Sequence, residues 1–303
     1  MPGIGTLSIF GGISRSILII RFAKGAFDMR IILTNYSLEK LAGSETWTMT
    51  MYEYLLQSHE VDIYVSRRGC NKLLPNARKA HPKTHYDLAL INHNSCLRET
   101  IGLDIDKRVF TSHGVVPVLE QPIQGADAYV SVSEEVQGNL RQKGFDSKVI
   151  RNPINTDYFT PSPVHCRLSN ILFLNNQANP LRMVTEACEG YQLRVLSGHN
   201  PEVKENISWA DLVISSGRGC YEAMSCGKNV MIVNRFGCDG MVTWENIFEL
   251  RKNNCSGRRF NLGWQAGDVR REFGKYDPER NMRPYILEHN AVGKIAAELV
   301  RIS

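Results

Sequence analysis

The chain has 303 residues, 43% of them hydrophobic and 22% charged, with a formal net charge of +5. That balance suits a globular protein of two medium domains, and two domains imply a cleft between them. A charge this mild, without a lysine or arginine run or a basic stripe interleaved with aromatics, argues for no nucleic-acid partner. No apolar run approaches the roughly 20 residues that cross a bilayer. The eight cysteines, at 70, 96, 166, 188, 220, 226, 238 and 255, include no C-x-x-C pair, which supports neither a zinc knuckle nor a disulfide framework. The expectation is a cytoplasmic protein with reduced thiols, any membrane contact being peripheral.

Residues 1–28 stand apart: they carry Arg15, Arg21 and Lys24, no acid before Asp28, and the apolar patch Ile17 to Ile20. They read either as a dispensable extension or as a membrane-surface helix. From Met29 short apolar runs alternate with helical stretches: RIILT, a helix from about Ser44 to Gln57, VDIYV, DLALIN, RVFTS, AYVSVS, a helix from Glu134 to Lys143, and KVIR. This is the pattern of a parallel sheet covered by helices. The stretch NPINTDYFTPSP, with Pro153, Pro161 and Pro163, loses periodicity and reads as an interdomain connection.

The alternation then restarts with ILFLN, a helix near Leu181 to Glu189, QLRVLS, a short helix around Pro201 to Ser208, DLVISS, the helix CYEAMSC, NVMIVN, and a helix from about Thr243 to Arg251. Val292, Ile295, Ala296, Leu299 and Ile302 repeat at helical spacing, an apolar stripe that must dock somewhere. The expected fold is α/β, two Rossmann-like domains facing a cleft. Its divisions are an extension over 1–28, a first domain over 29–160, a smaller second domain over 165–286, and a terminal helix over 287–303 that packs back on the first domain.

In open α/β sheets ligands lie beyond the carboxyl ends of the strands, so the residues just after strands are the candidates. The sharpest unit is DLVISSGRGCYEAMSCGKNVMIVN, residues 211 to 234. Gly217 and Gly219 let the backbone approach a ligand, and the helix opening at Arg218, Cys220 and Tyr221 presents N–H groups that favour an anion such as a diphosphate. Glu222, read as a first-turn residue, either accepts bonds from the vicinal hydroxyls of a ribose or satisfies the helix dipole, and spacing leaves both open. Gly43 and Ser44 read as a turn and N-cap or as a phosphate approach. Asp239 and Gly240 bring backbone N–H groups toward the same region, with Thr243 capping the next helix. No acidic cluster has metal-ligand spacing, so no essential divalent ion is expected.

Residues 221–230, YEAMSCGKNV, resemble the Glu-Ala-Met-x-x-Gly-x-x-Val block of GT-B glycosyltransferases of the large retaining family four type, also called glycosyl transferases group 1. The stretch AYVSVSEEVQGNLRQKGFDSKVIRNPINTDYFTP is similar to the end of that family's first domain, matching at Ser133-Glu134, Gly144, Asn152, Asp157, Phe159 and Pro161. AGSETW at 42–47 resembles its glycine loop, and TSHG at 111–114 its histidine after a strand. The resemblance covers roughly residues 29–260. It implies a retaining hexosyltransferase that moves a sugar from a nucleotide-diphosphate donor, a UDP- or GDP-sugar, to a hydroxyl of a glycan, lipid-linked or protein-linked acceptor, without metal or other cofactor.

The resemblance also implies roles. His113 and Glu222 would be catalytic, His113 against the transferred sugar and Glu222 on the ribose. Gly43 and Ser44 would approach the donor, as would Gly217 to Tyr221 and Asp239-Gly240, while Asn92 and Asn94 would meet the acceptor. Two departures matter. The family's first glutamate, eight positions before the second, is here Ile214, and its Arg/Lys pair after the second domain's first strand is replaced by NNQANPLR. Arg182 and Arg218 are candidate substitutes on the diphosphate. These departures motivate an alternative, a catalytically impaired GT-B module that binds a sugar nucleotide or glycan; a sugar-nucleotide epimerase of the same fold is disfavoured.

Overall fold

The computed structural model describes residues 6–7, 17–18, 29–67, 70–175, 179–196, 202–262 and 265–302. Before residue 29 these are an antiparallel pair, β1 (Thr6–Leu7) and β2 (Ile17–Leu18); the expectation for 1–28 otherwise lies outside the described residues.

The first sheet is built from β3 (Arg30–Asn35), β4 (Glu60–Val65), β5 (Leu88–Ile91), β6 (Arg108–Ser112), β7 (Ala128–Ser131) and β8 (Lys148–Val149). Its order is β4-β3-β5-β6-β7-β8, every pair parallel. Helices α1 (Gly43–Leu55), α2 (Asn94–Thr100) and α3 (Glu134–Gln142) connect the strands. Burial on both faces explains why the strands read as continuous apolar runs: Ile31, Ile32, Leu33, Leu88 to Ile91, Val109 and Phe110 are all buried. Helix α2 was not expected, because seven residues are too few for periodicity to mark a helix.

The second sheet contains β9 (Asn170–Leu174), β10 (Gln192–Leu196), β11 (Leu212–Ser215), β12 (Asn229–Asn234) and β13 (Gly237–Met241), in the order β10-β9-β11-β12-β13. Helices α4 (Asn179–Ala187), α5 (Val203–Trp209) and α6 (Arg218–Ser225) link its strands. Strand β13 runs antiparallel to β12. GCDGM has little strand propensity, so the sequence read it as a loop near the ligand; the fold turns it back as an edge strand instead. The helix expected from Thr243 also begins later. Asn246 Oδ1 accepts from the Thr243 N–H, and α7 (Ile247–Leu250) is four residues long. Two further helices, α8 (Ala266–Phe273) and α9 (Arg283–His289), precede α10 (Val292–Val300).

The terminal helix packs back on the first domain. Val292, Ile295, Ala296 and Leu299 join a core cluster with Trp47, Met51 and Leu55 of α1. Chain crosses from one sheet to the other through residues 152–163, which form neither strand nor helix, and α10 makes the crossing a second time. Ile295 is 3% exposed, so Ile295→Ala should cost about 2–4 kcal/mol of stability, read as a lowered midpoint of urea or thermal unfolding. An unchanged midpoint would mean that α10 is not docked.

Candidate functional site

Each sheet changes winding direction beside its first strand. β3 lies between β4 and β5, and β9 between β10 and β11. A crevice opens beyond the carboxyl ends at such a switch point. In the second sheet Leu174 and Asn175, leaving β9, and Ser215 and Ser216, leaving β11, line a cavity of about 220 Å³. Ala42, Gly43 and Thr46, at the start of α1, close it from the first domain, and Arg218, Gly219 and Glu222 of α6 form its floor. The volume is below the roughly 300 Å³ at which ligand pockets usually begin.

Glu222 is 6% exposed and lines this cavity. It is the fifth residue of α6, one turn further in than the sequence placed it, so proximity to the helix start does not account for it. Its Oε1 accepts from Arg218 Nε at 2.7 Å. Among the described residues no hydrogen bond reaches Oε2, which is left to the cavity. Burial pushes the Glu222 carboxyl up while the Arg218 guanidinium pulls it down. Each Arg218 nitrogen makes one bond: Nη1 donates to the Pro153 carbonyl at 2.7 Å and Nη2 to Thr50 Oγ1, across the cleft, at 2.8 Å.

The two glycines have separate physical causes. Gly217 precedes α6 at φ +61°, a backbone state that favours glycine. Gly219 lies so close to β11 and β9 that a Cβ would run into Ser215 Oγ and stand 3.1 Å from Leu174 Cδ2. Cys220 and Tyr221 turn into the core of the second domain, and Ile214 is buried in the core on the other side of the sheet. Asp239 is likewise buried, its carboxylate accepting from the N–H groups of Arg259, Phe260 and Asn261, and Gly240 lies beside it in β13. Arg182 is exposed on α4 and is not among the residues that line the cavity.

On the first domain, Gly43 and Ser44 are the first residues of α1, whose N-cap is Ala42 and has no side-chain cap. Ser44 Oγ donates to Glu45 Oε2 at 3.1 Å. Asn92 is wholly buried; its Nδ2 donates to Thr48 Oγ1 and the Thr34 carbonyl, so its Oδ1 is the acceptor for His113 Nε2 at 3.0 Å. That assigns the His113 proton to Nε2. Burial, then the nearby His93 and Arg218, hold His113 down to about 3, neutral at physiological pH. Trp47 packs edge-on against its ring. Asn94 Nδ2 donates to the carbonyls of Val118 and Gln121, bracing the loop that follows His113.

Two carboxyl groups missed in the sequence lie beside this loop. Glu120 Oε2 is 2.9 Å from where a side chain on Gly114 would begin. Burial and the negative field of Glu45 push Glu120 up to about 7, and burial raises Glu45 as well. Their position after a strand and a glycine was the available signal. A carboxyl whose folded pKa is raised stabilises the fold while protonated, and that contribution is lost as pH rises through about 4.5 to 7. Glu120→Gln should therefore gain melting temperature relative to the parent between pH 5 and pH 8. A difference that stays constant across this range would contradict the assignment.

No family model matches the chain, and no curated protein matches it. Solved structures do. AviGT4, a glycosyltransferase involved in avilamycin A biosynthesis, superposes with a TM-score of 0.55 at 13% identity, covering 90% of this chain and 96% of that one. An α-glucosyltransferase in complex with UDP and a 13-mer DNA containing an HMU base gives 0.60 at 12% identity, covering 90% and 98%. The same coverage holds for an α-glucosyltransferase with UDP-glucose and DNA containing an abasic site, at 0.59. These two overturn the exclusion of a nucleic-acid partner: a fold of this kind holds DNA, since phosphate contacts can come from scattered side chains and backbone N–H groups without a basic run. The architecture itself is settled: this chain has the GT-B fold, two Rossmann-like α/β domains facing one cleft.

Proposed function

We propose that the chain is a glycosyltransferase that moves a sugar from a nucleoside-diphosphate donor to an acceptor hydroxyl. The observation that carries this reading is Glu222, a buried carboxylate with one oxygen held by Arg218 and the other left to the cleft. Ribose hydroxyls donate to such a group. The diphosphate belongs between the starts of α1 and α6, neither of which has a side-chain cap and both of which border the cavity. Their N–H groups and dipoles favour an anion and stabilise charge on the departing diphosphate as the sugar bond breaks. His113 is not among the residues that line the cavity, and being neutral it offers a hydrogen-bonding ring rather than an acid.

A UDP- or GDP-sugar donor, retention of configuration and independence of divalent ions follow from the sequence resemblance and belong to the same proposal. The acceptor class is a glycan, a lipid-linked or a protein-linked hydroxyl, and nucleic acid joins the acceptors to be tried. No helix among the described residues is long and apolar enough to cross a membrane. One observation favours the alternative of a binding module: Ile214 fills the core where the family has a carboxylate.

The test is a panel of nucleotide sugars, with and without EDTA, followed by release of nucleoside diphosphate, beside melting curves with UDP, GDP and ADP. A ligand that binds only the native state adds about 2.7 kcal/mol of stabilisation at a hundred times its Kd, and so raises the melting temperature. A shift together with release supports the transferase; a shift without release from any donor supports the binding module. Neither shift nor release would sink both. Glu222→Gln should abolish most of the shift while leaving the unliganded melting temperature within a few degrees of the parent.

A further inference from the structure

Thr50 sits one turn beyond Thr46 on α1 and donates from Oγ1 to the Thr46 carbonyl at 2.8 Å. The lone pairs of that hydroxyl receive Arg218 Nη2 from the other domain at 2.8 Å. Arg218 Nε in turn holds Glu222 Oε1, and its Nη1 holds the Pro153 carbonyl of the crossing segment. The side chains of Arg218 and Glu222 are only 11% and 8% exposed, so this fork is sheltered from water and each of its bonds has one geometry. Three of the five guanidinium N–H groups, one on each nitrogen, are thus held in place.

We infer that Arg218 is a positioning residue, and that Thr50, by fixing Arg218 from across the cleft, sets how well Glu222 grips the ribose of the donor. This rests on the donor site proposed above. The consequence is a link between domains: nucleotide affinity, a property of the second domain, depends on a hydroxyl of the first, and opening the cleft detaches the fork that orients Glu222. Charge enters the same way. The groups facing Glu222 are Arg218 on its own helix, the buried thiols of Cys220 and Cys226, and His113 through Arg218. The thiols are pushed up by burial and His113 is pushed down, so none of them changes charge between pH 5 and pH 8. Burial raises the Glu222 carboxyl, and Arg218 is the group that opposes that rise.

The experiment measures the Kd for UDP, GDP and ADP calorimetrically on the full chain, for the parent, Thr50→Val, Thr50→Ser and Arg218→Gln, each at pH 5.5 and 8, with unliganded melting temperatures alongside. Thr50→Val keeps shape but removes the acceptor, and is expected to weaken the bound nucleotide about three- to tenfold, the scale of one net hydrogen bond. Thr50→Ser should restore parental affinity. Arg218→Gln should weaken binding more, and at pH 5.5 more than at pH 8, because the unpaired buried carboxyl then protonates. A structural role alone would not produce that pH split. Thr50→Val binding as tightly as the parent, or Thr50→Ser failing to rescue, would overturn the inference while leaving the donor site standing. A parent that binds no nucleoside diphosphate would overturn the donor site and the inference with it.

Discussion

Residues 152–163 pass between the sheets without regular structure, so every carbonyl they bury must find a donor elsewhere. Side chains of the second domain supply most of them. Arg283 donates to the carbonyls of Thr156 and Phe159, Lys228 to that of Pro163, Asn290 to that of Asn152, and Arg218 to that of Pro153. Lys228 is fully buried, and burial lowers its pKa; such a group is tolerated because two carbonyls, of Pro163 and Ser208, receive its Nζ. The crossing is thus fastened to the second domain by charge-assisted bonds, and the fork of Arg218 and Glu222 is one member of that seam.

The first domain is attached at the same place by other means. Ile154 pairs with Ala291 and exchanges backbone bonds with Asn290 and Val292, just before α10 leaves to pack on α1. Arg258 forms a two-bond pair with Glu135 of α3, and Arg151 reaches the Arg251 carbonyl. Helix α1 therefore carries three loads: the core of its domain, the docking of α10, and the wall of the cleft from Gly43 to Thr50. Any relative motion of the domains would have to work against these contacts, and the cavity lies between them.

The alternation of apolar runs was enough to place both sheets, because strands buried on two faces announce themselves by composition. The terminal stripe from Val292 to Leu299 was equally plain, and its destination was α1. Short or glycine-rich pieces were not legible. Seven residues from Asn94 carry no periodicity, and Gly237–Met241 becomes a strand through tertiary pairing rather than propensity. In the site, the glycine turn and Glu222 could be found by spacing, but the partner of Arg218 is Thr50, 168 positions away in sequence, and no local pattern encodes that. Asp239, Cys220 and Tyr221 illustrate the converse: residues close in sequence to a ligand loop whose side chains the fold uses for its own core and turns. Net charge gave no ground for excluding nucleic acid, since it averages over a surface on which a few contacts decide binding.

Glu222 facing a cleft is the centre of this account, and its most direct test is a crystal structure of the chain with a bound nucleoside diphosphate. The account predicts ribose oxygens within hydrogen-bond reach of Glu222 Oε2, the diphosphate between the starts of α1 and α6, and Arg218 still joined to Glu222, Pro153 and Thr50. A ribose more than about 3.5 Å from Glu222, or a nucleotide ordered anywhere outside the cleft, would contradict it.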